Sequence, residues 1–349
     1  GKMATLRVLL YLWVIASFAR SRIGGTAAHP RIFSAARRLF NVRSSHIPRS
    51  SEPTSLFIFG VGYTGLALVR SLQQNMNNTM RIHGTCRERQ KAEALKSKGV
   101  VMHLVGKSGD DLVLGEDAHA AILDASHILV CIPPLNSADR GPGLFVDPVL
   151  ASCGEILKRN SRLRWIGYLS TTGVYGDHGG EWVDEKSETK ALPGSKPHRR
   201  LLAEEEWMTS FPSETHVFRL AGIYGPGRSA LDTVARISEP TTTTPTRSSD
   251  VPSTTTTTNA APSPDKWVSR VHVCDIANVL ATSMKKPTPG VTFNVADDCP
   301  SQRQRVLDYA ESLISHHKGE DSIVSLFNRM KRRRHRRSQD AATTPRRER

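Results

Sequence analysis

The sequence has few cysteines and no apolar segment long enough to cross a membrane. Its 349 residues include five widely spaced cysteines with no CxxC pair: Cys86, Cys131, Cys153, Cys274 and Cys299. This usage argues against a disulfide-stabilised scaffold and a zinc site, and it favours a reducing compartment. No other metal site is indicated. The apolar run at 8–16 is too short to span a bilayer, so we expect no membrane span in the mature protein.

Acidic residues are absent from the first 51 residues and scarce in the last 21. Of the net charge of +15, the range 1–51 contributes +9 and the range 329–349 contributes +8, which leaves −2 for 52–328. The sequence therefore argues against nucleic acid as a partner of the folded part. The alternative is binding through the basic run KRRRHRR at 331–337, with a salt-sensitive affinity that disappears when 329–349 is removed.

The composition of 1–51 is typical of a targeting presequence. The apolar run at 8–16 suits a signal-peptide core, and the residues after it are rich in Arg, Ser and Ala. The two signals in series, with Phe18 just after a plausible cleavage point, resemble the bipartite plastid presequences of algae with complex plastids. We expect a plastid (chloroplast) location, with the secretory pathway and the mitochondrion as alternatives.

Apolar runs and helical patterns alternate from Leu56 onward. The runs LFIF, IHGT, VVMHLV, HILVCI, WIGYLS and HVFRL are typical of buried strands, and the helical patterns cover 64–74, 89–98, 144–158 and 198–210. This alternation predicts an α/β fold over 52–315, a Rossmann-type doubly wound parallel sheet. A Thr/Ser/Pro tract at 238–265 predicts a disordered insertion, and 316–349 a disordered basic tail.

A glycine-rich motif, G-x-G-x-x-G, follows the first strand directly. Gly60 allows a tight turn, Gly62 lets the backbone approach a pyrophosphate, and Gly65 lets helix and strand pack closely. Tyr63 and Thr64 begin the helix, whose N-terminus would face the anion. Because a strand precedes the motif and a helix follows it, the motif favours a dinucleotide site over a merely structural glycine turn.

The residues after the second strand favour NADP over NAD. An Asp or Glu about 20 residues past the glycines usually holds the ribose 2′-hydroxyl of NAD, but this chain has HGTCRERQK there, with Arg87 at the strand end. A guanidinium can pair bidentately with a 2′-phosphate, so we expect NADP, with NAD as the alternative. Pro133, after the fourth strand, is predicted to line the nicotinamide side or else simply to end the strand.

Five blocks in order resemble the extended short-chain dehydrogenase/reductase family, of the NAD-dependent epimerase/dehydratase type. After the glycine motif come WIGYLSTTGVYGDHGGEWVDE, FRLAGIYGPGR, RVHVCDIANVL and FNVADD. The resemblance covers about 55–315 and implies a Rossmann sheet with a small C-terminal substrate lobe. It also implies a small-molecule substrate, such as a nucleotide sugar or another carbonyl compound, and a homodimer through the helices around 144–158 and 198–210.

The catalytic pair of that family is changed in this chain. The resemblance places the substrate-orienting hydroxyl at Thr171, with Ser170 beside it, whereas the family's Tyr and Lys positions hold Lys196 and Arg200. Arg200 keeps the positive charge but cannot shuttle a proton, since a guanidinium stays protonated in proteins. Tyr175 is an alternative acid, although packing as a buried aromatic suits it better. The chain thus resembles atypical members that lack the Tyr–Lys pair, and its proton donor is unassigned.

Two further arginines complete the predicted site. Arg228 and Arg270 match positions where family members place cations near substrate phosphates, with surface ion pairs as the alternative. We interpret the chain as an NAD(P)-dependent oxidoreductase or epimerase/dehydratase-like enzyme. The alternative, favoured by the missing Tyr–Lys pair, is a non-catalytic NADP(H)-binding redox sensor or scaffold.

Overall fold

The computed structural model describes residues 54–74, 80–136, 145–237 and 267–316. The predicted presequence, the Thr/Ser/Pro tract and the tail from 317 onward lie outside these ranges. None of the described helices is long and apolar enough to cross a membrane. In the same ranges, no group of His, Cys, Asp and Glu side chains is arranged to hold a metal ion.

Seven parallel strands form the central sheet, and short pairs of strands surround it. The strands are β1 (Ser55–Phe59), β2 (Arg81–Cys86), β3 (Val101–Leu104), β4 (Gly106–Ser108), β5 (Asp111–Val113), β6 (His127–Val130), β7 (Leu135–Asn136), β8 (Phe145–Val146), β9 (Trp165–Thr171), β10 (Thr215–Leu220), β11 (Gly222–Tyr224), β12 (Trp267–Val268), β13 (Arg270–His272), β14 (Val291–Val295) and β15 (Ser301–Gln302). The order across the sheet is β3–β2–β1–β6–β9–β10–β14. The strand order reverses between β1 and β6, and ligands of such sheets bind outside the carboxyl ends of the strands at that point.

Helices cover both faces of this sheet. They are α1 (Tyr63–Gln74), α2 (Arg89–Lys96), α3 (Glu116–Asp124), α4 (Pro148–Lys158), α5 (Lys196–Ser210), α6 (Ala230–Ile237), α7 (Val273–Lys285) and α8 (Arg303–His316). Residues of α1, α2 and α7 pack on one face of the sheet, and residues of α3, α4 and α5 pack on the other. The predicted doubly wound Rossmann-type fold is therefore confirmed.

The central strand β1 illustrates why its sequence is continuously apolar. Its side chains alternate between the two faces: Leu56 and Ile58 belong to one core, and Phe57 and Phe59 belong to the other. All four are fully buried. A strand covered on both faces has no solvent side, so it shows no polar alternation.

The helix boundaries differ from the sequence expectation in places with local causes. The helix expected from residue 144 begins at Pro148, because Phe145–Val146 pairs with β7 and Asp147 caps the helix. The Asp147 carboxylate accepts hydrogen bonds from the backbone N–H groups of Val149, at 3.0 Å, and Leu150, at 3.1 Å. Helices α3 and α6 were not predicted, although α2, which is as short as α6, was.

The C-terminal part of the described chain forms the smaller lobe. Strands β11 and β13 pair in parallel, while β12 and β15 pair in antiparallel orientation. Helix α7 returns to the main sheet, with Ile276 and Leu280 buried in its core. The imidazole of His272 caps α7 by accepting a hydrogen bond from the N–H of Cys274 at 3.3 Å.

We predict that acid destabilises the fold through His127. This imidazole is buried beside Trp165, and burial lowers its pKa to about 4. Between that value and the unfolded pKa of about 6.5, the unfolded chain binds more protons, so stability falls as the pH falls. From pH 7 to pH 5, His127 alone should reduce the free energy of unfolding by about 2 kcal/mol, as measured by urea denaturation.

The variant His127→Gln should lose this part of the pH dependence. Burial also lowers the pKa of His83 and of His216, so the variant should retain a smaller slope of the same sign. A variant whose slope equals that of the wild type would contradict the assignment to His127.

Candidate functional site

The turn after β1 is held in place by the end of β2. The N–H of Gly60 donates to the Thr85 hydroxyl at 2.8 Å, and the N–H of Val61 donates to the Thr85 carbonyl at 2.9 Å. Gly60 has a φ of +82°, a backbone conformation that residues other than glycine rarely adopt. The sequence analysis missed Thr85, although a polar residue near the end of a buried strand is a signal that could have revealed it.

The predicted glycines allow close packing around this turn. A Cβ added at Gly60 would lie 2.9 Å from Cγ1 of Ile132, which follows β6, and one at Gly65 would lie 3.3 Å from Cγ2 of Ile58. At Gly62 the nearest atom to an added Cβ is 3.9 Å away, so this position is open. Since Tyr63 begins α1, the first N–H groups of that helix have no partner within it. Because the N–H groups of Gly60, Val61 and Gly62 bond within the protein, the first N–H groups of α1 are the donors that this turn can offer a phosphate.

The cation predicted for the second strand lies beyond the end of β2. Arg87 is exposed, and among the described residues no carboxylate lies within ion-pair distance of it. Arg81, at the other end of the same strand, lies 3.7 Å from the Asp124 carboxylate. An exposed guanidinium without an acidic partner can bind an anionic ligand without first breaking an ion pair.

The segment after β6 lies beside the glycine turn. Ile132 contacts Gly60, whereas Pro133 is exposed and can still line a ligand. Cys131 lies behind the turn, and burial raises the pKa of its thiol to about 12. This cysteine is therefore a neutral packing residue at physiological pH and not a nucleophile.

The two hydroxyls predicted at the end of β9 have different surroundings. Thr171 is half-buried, and its Oγ1 accepts a hydrogen bond from the N–H of Gly173 at 3.1 Å. Ser170 is only 4% exposed and donates to the carboxylate of Glu204. The prediction that Ser170 orients a substrate oxygen is thus wrong, because the alternation of side chains along a strand turns it into the interior.

Ser170 belongs to a buried polar network between α5 and three strands. The Arg219 guanidinium pairs with Glu204, with Nη2 to Oε2 at 2.8 Å, and its Nη1 donates to the Tyr175 hydroxyl at 3.0 Å. That hydroxyl in turn donates to Oδ1 of Asn294 at 2.7 Å. Burial raises the pKa of Tyr175, and the Arg219 side chain opposes the shift. Tyr175 is therefore a packed, fully bonded residue and not a free acid.

The resemblance places Lys196 and Arg200 at the family's Tyr and Lys positions. In the structure these two side chains have different surroundings. The Ser195 hydroxyl caps α5 by accepting a hydrogen bond from the N–H of His198 at 3.3 Å, and Pro197 packs against Gly173. Lys196 is exposed on the first turn, whereas Arg200 is half-buried and donates from Nη1 to the carbonyl of Leu169. Arg200 thus holds its charge at the end of β9 by bonding the backbone.

The two predicted substrate cations differ in their contacts. The Arg228 guanidinium lies over the ring of Tyr63, with Cζ 5.7 Å from the ring centroid, and therefore next to the glycine turn. Arg270 is half-buried on β13, and burial lowers its pKa against the opposing effect of Asp297. Its carbonyl accepts from the N–H of Asp297 at 2.6 Å.

No protein-family model and no curated protein matches this chain. Among solved structures, it is similar to a functionally unknown conserved protein from Silicibacter pomeroyi. The two are 35% identical, and the match covers 74% of this chain and 78% of that protein, with a TM-score of 0.55. The chain belongs to the family of that protein.

Two enzymes with lower identity share the fold. One is dTDP-glucose 4,6-dehydratase from Bacillus anthracis in complex with NAD, at 14% identity, with 77% of this chain and 83% of that enzyme covered and a TM-score of 0.54. The other is a UDP-glucuronic acid 4-epimerase mutant from Bacillus cereus in complex with a UDP-sugar and NAD. It is 14% identical over 74% of this chain and 83% of that enzyme, also with a TM-score of 0.54. At this identity the likeness shows the fold alone.

We predict that the Glu204–Arg219 pair is essential for stability. Glu204→Ala leaves a buried guanidinium without its partner, so the free energy of unfolding should fall by about 3 kcal/mol or more in urea denaturation. Glu205→Ala, an exposed position on the same helix, is the matched control and should change it by less than about 0.5 kcal/mol.

The double variant Glu204→Met, Arg219→Met removes both charges and should be more stable than Glu204→Ala. Equal stability of Glu204→Ala and Glu205→Ala would show that the pair contributes nothing.

Proposed function

We propose that the chain is an NADP(H)-dependent enzyme of the epimerase/dehydratase type. The observation that carries this proposal is the turn after β1, where Thr85 holds Gly60 and Val61 and where Gly62 leaves room for a phosphate. The two NAD complexes that share the fold support a nicotinamide cofactor.

The residues present fit a dinucleotide phosphate. The N-terminus of α1 would hold the pyrophosphate through its first backbone N–H groups, as helix N-termini commonly do. Arg87 would pair with a 2′-phosphate, for which an exposed guanidinium without a carboxylate partner is suited. Pro133 would lie on the nicotinamide side. When bound, the nicotinamide supplies hydride acceptance or donation.

The proposed substrate is a nucleotide sugar or a related small carbonyl compound. Support comes from the epimerase with the same fold, which was crystallised with a UDP-sugar. In this chain Thr171 would orient the substrate oxygen, since its hydroxyl stands at the strand end while Ser170 is buried. Lys196 would add positive charge from the solvent side, and Arg200 would add it from the end of β9. The residues named here leave the proton donor unassigned.

A non-catalytic NADP(H)-binding protein is the second candidate. Its support is that Ser170, Tyr175 and Arg200 all bond within the protein, which leaves few free polar groups at the strand end. The two candidates share the cofactor site and differ in whether a bound substrate is turned over.

The cofactor proposal is tested by titrating the protein with NADPH and NADH, using nucleotide fluorescence. NADPH should bind more tightly, and Arg87→Asp should weaken its binding by roughly 10- to 100-fold, the loss expected for a charge-assisted hydrogen bond. The same substitution should change the affinity for NADH by less than about twofold.

Arg81→Ala is the matched control, because it removes a cation from the opposite end of β2 and should leave both affinities unchanged. Absence of binding by any nicotinamide nucleotide would refute both candidate functions.

Catalysis is tested by incubating the cofactor-loaded protein with a panel of UDP- and dTDP-sugars and following products by mass spectrometry. Thr171→Val should reduce turnover by roughly 10- to 100-fold while the NADPH affinity changes little, because the hydroxyl acts on the substrate oxygen. Thr172→Val is the control, since that hydroxyl approaches the Leu220 carbonyl at 3.5 Å. Tight cofactor binding without any turnover would favour the non-catalytic candidate.

A further inference from the structure

A tight turn between β11 and α6 lies against the glycine-rich turn. Gly225 and Arg228 close it with two reciprocal backbone hydrogen bonds of 3.0 Å each. The hydroxyl of Tyr63, the first residue of α1, donates to the carbonyl of Pro226 at 3.3 Å. A Cβ added at Gly225 would lie 2.5 Å from that hydroxyl, so the two turns are in close contact.

The contact places a cation beside the start of α1. Arg228 stacks on the Tyr63 ring with Cζ 5.7 Å from the centroid, a distance at which a cation is attracted to the ring face. The guanidinium is exposed, and no carboxylate of the described residues forms an ion pair with it. The nearby Asp232 instead accepts hydrogen bonds from Ser229, whose N–H lies at 2.8 Å and whose hydroxyl lies at 2.5 Å.

We propose that Arg228, supported by the ring of Tyr63, binds the pyrophosphate of the dinucleotide and not a substrate phosphate. This inference rests on the proposed function, since it assigns a further residue to the same cofactor site. The two exposed arginines would then divide the anionic groups of the ligand: Arg87 takes the 2′-phosphate and Arg228 takes the pyrophosphate.

The assignment also gives the turn 225–228 a role in linking the two parts of the molecule. Tyr63 begins α1, which packs on the central sheet, whereas the turn leads into α6 of the smaller lobe. A pyrophosphate bound by both α1 and Arg228 would connect them through one ligand.

Two nucleotides serve as separate probes for the pyrophosphate site and the 2′-phosphate site. ADP carries a diphosphate without a 2′-phosphate, and 2′-AMP carries a 2′-phosphate without a diphosphate. Both are titrated against the full chain by displacement of NADPH. Arg228→Ala should weaken the binding of ADP and of NADPH by roughly tenfold or more. It should change the affinity for 2′-AMP by less than about twofold. Arg87→Ala should show the reverse, weakening 2′-AMP and NADPH but not ADP.

Three further variants test the geometry. Arg228→Lys keeps the charge without the planar fork and should lose part of the ADP affinity. Tyr63→Leu removes the ring that supports the guanidinium and should weaken ADP several-fold. Arg70→Ala is the charge control, because it removes an exposed cation from the same helix and should change no affinity by more than twofold.

The outcomes are distinguishable from failure of the proposed function. If the wild type binds neither NADPH nor ADP, the cofactor site itself is refuted. If the wild type binds both and Arg228→Ala leaves ADP unchanged, only this inference is overturned. Equal losses for Arg228→Ala and Arg70→Ala would likewise overturn it, since they would indicate a general charge effect. Thermal unfolding of each variant shows that the comparison is made on folded protein.

Discussion

The buried ion pair between Glu204 and Arg219 determines which side chains at the strand ends can meet a ligand. It joins α5 to β10 and, through the Tyr175 hydroxyl, reaches Asn294 on β14. Ser170 is also bonded to Glu204 and is thereby removed from the ligand side. Because a charge in the interior must be paired, this network cannot be loosened to free one of its members without a large loss of stability.

The proposed cofactor side depends on a different constraint, the close approach of three strand ends around Gly60. Thr85 bonds the turn from β2, and Ile132 packs on it from the end of β6. Side chains cannot enter a turn packed this tightly, so the proposed phosphate contacts are the N-terminus of α1 and nearby cations. Arg228 contacts Tyr63 at the start of α1, and Arg87 follows β2, the strand that holds Thr85.

Much of the fold could be predicted because its signals are local. The apolar runs predicted six of the seven strands of the sheet, since strands buried on both faces show no polar alternation. The helical pattern at 198–210 predicted α5 to within two residues of its start. Helices α3 and α6 were not predicted, and the start of α4 depended on the pairing of Phe145–Val146 with β7.

The sequence by itself determined the strand–turn–helix that begins the fold, because the glycine spacing and the flanking apolar runs act within a few residues. The resemblance in sequence also predicts that Lys196 and Arg200 occupy the usual Tyr and Lys positions. Only the tertiary structure decided that Ser170 faces Glu204 and that Arg228 stacks on Tyr63, whose position lies 165 residues away along the chain. Such contacts join segments distant in sequence, and their geometry follows from how the sheet and the lobe pack.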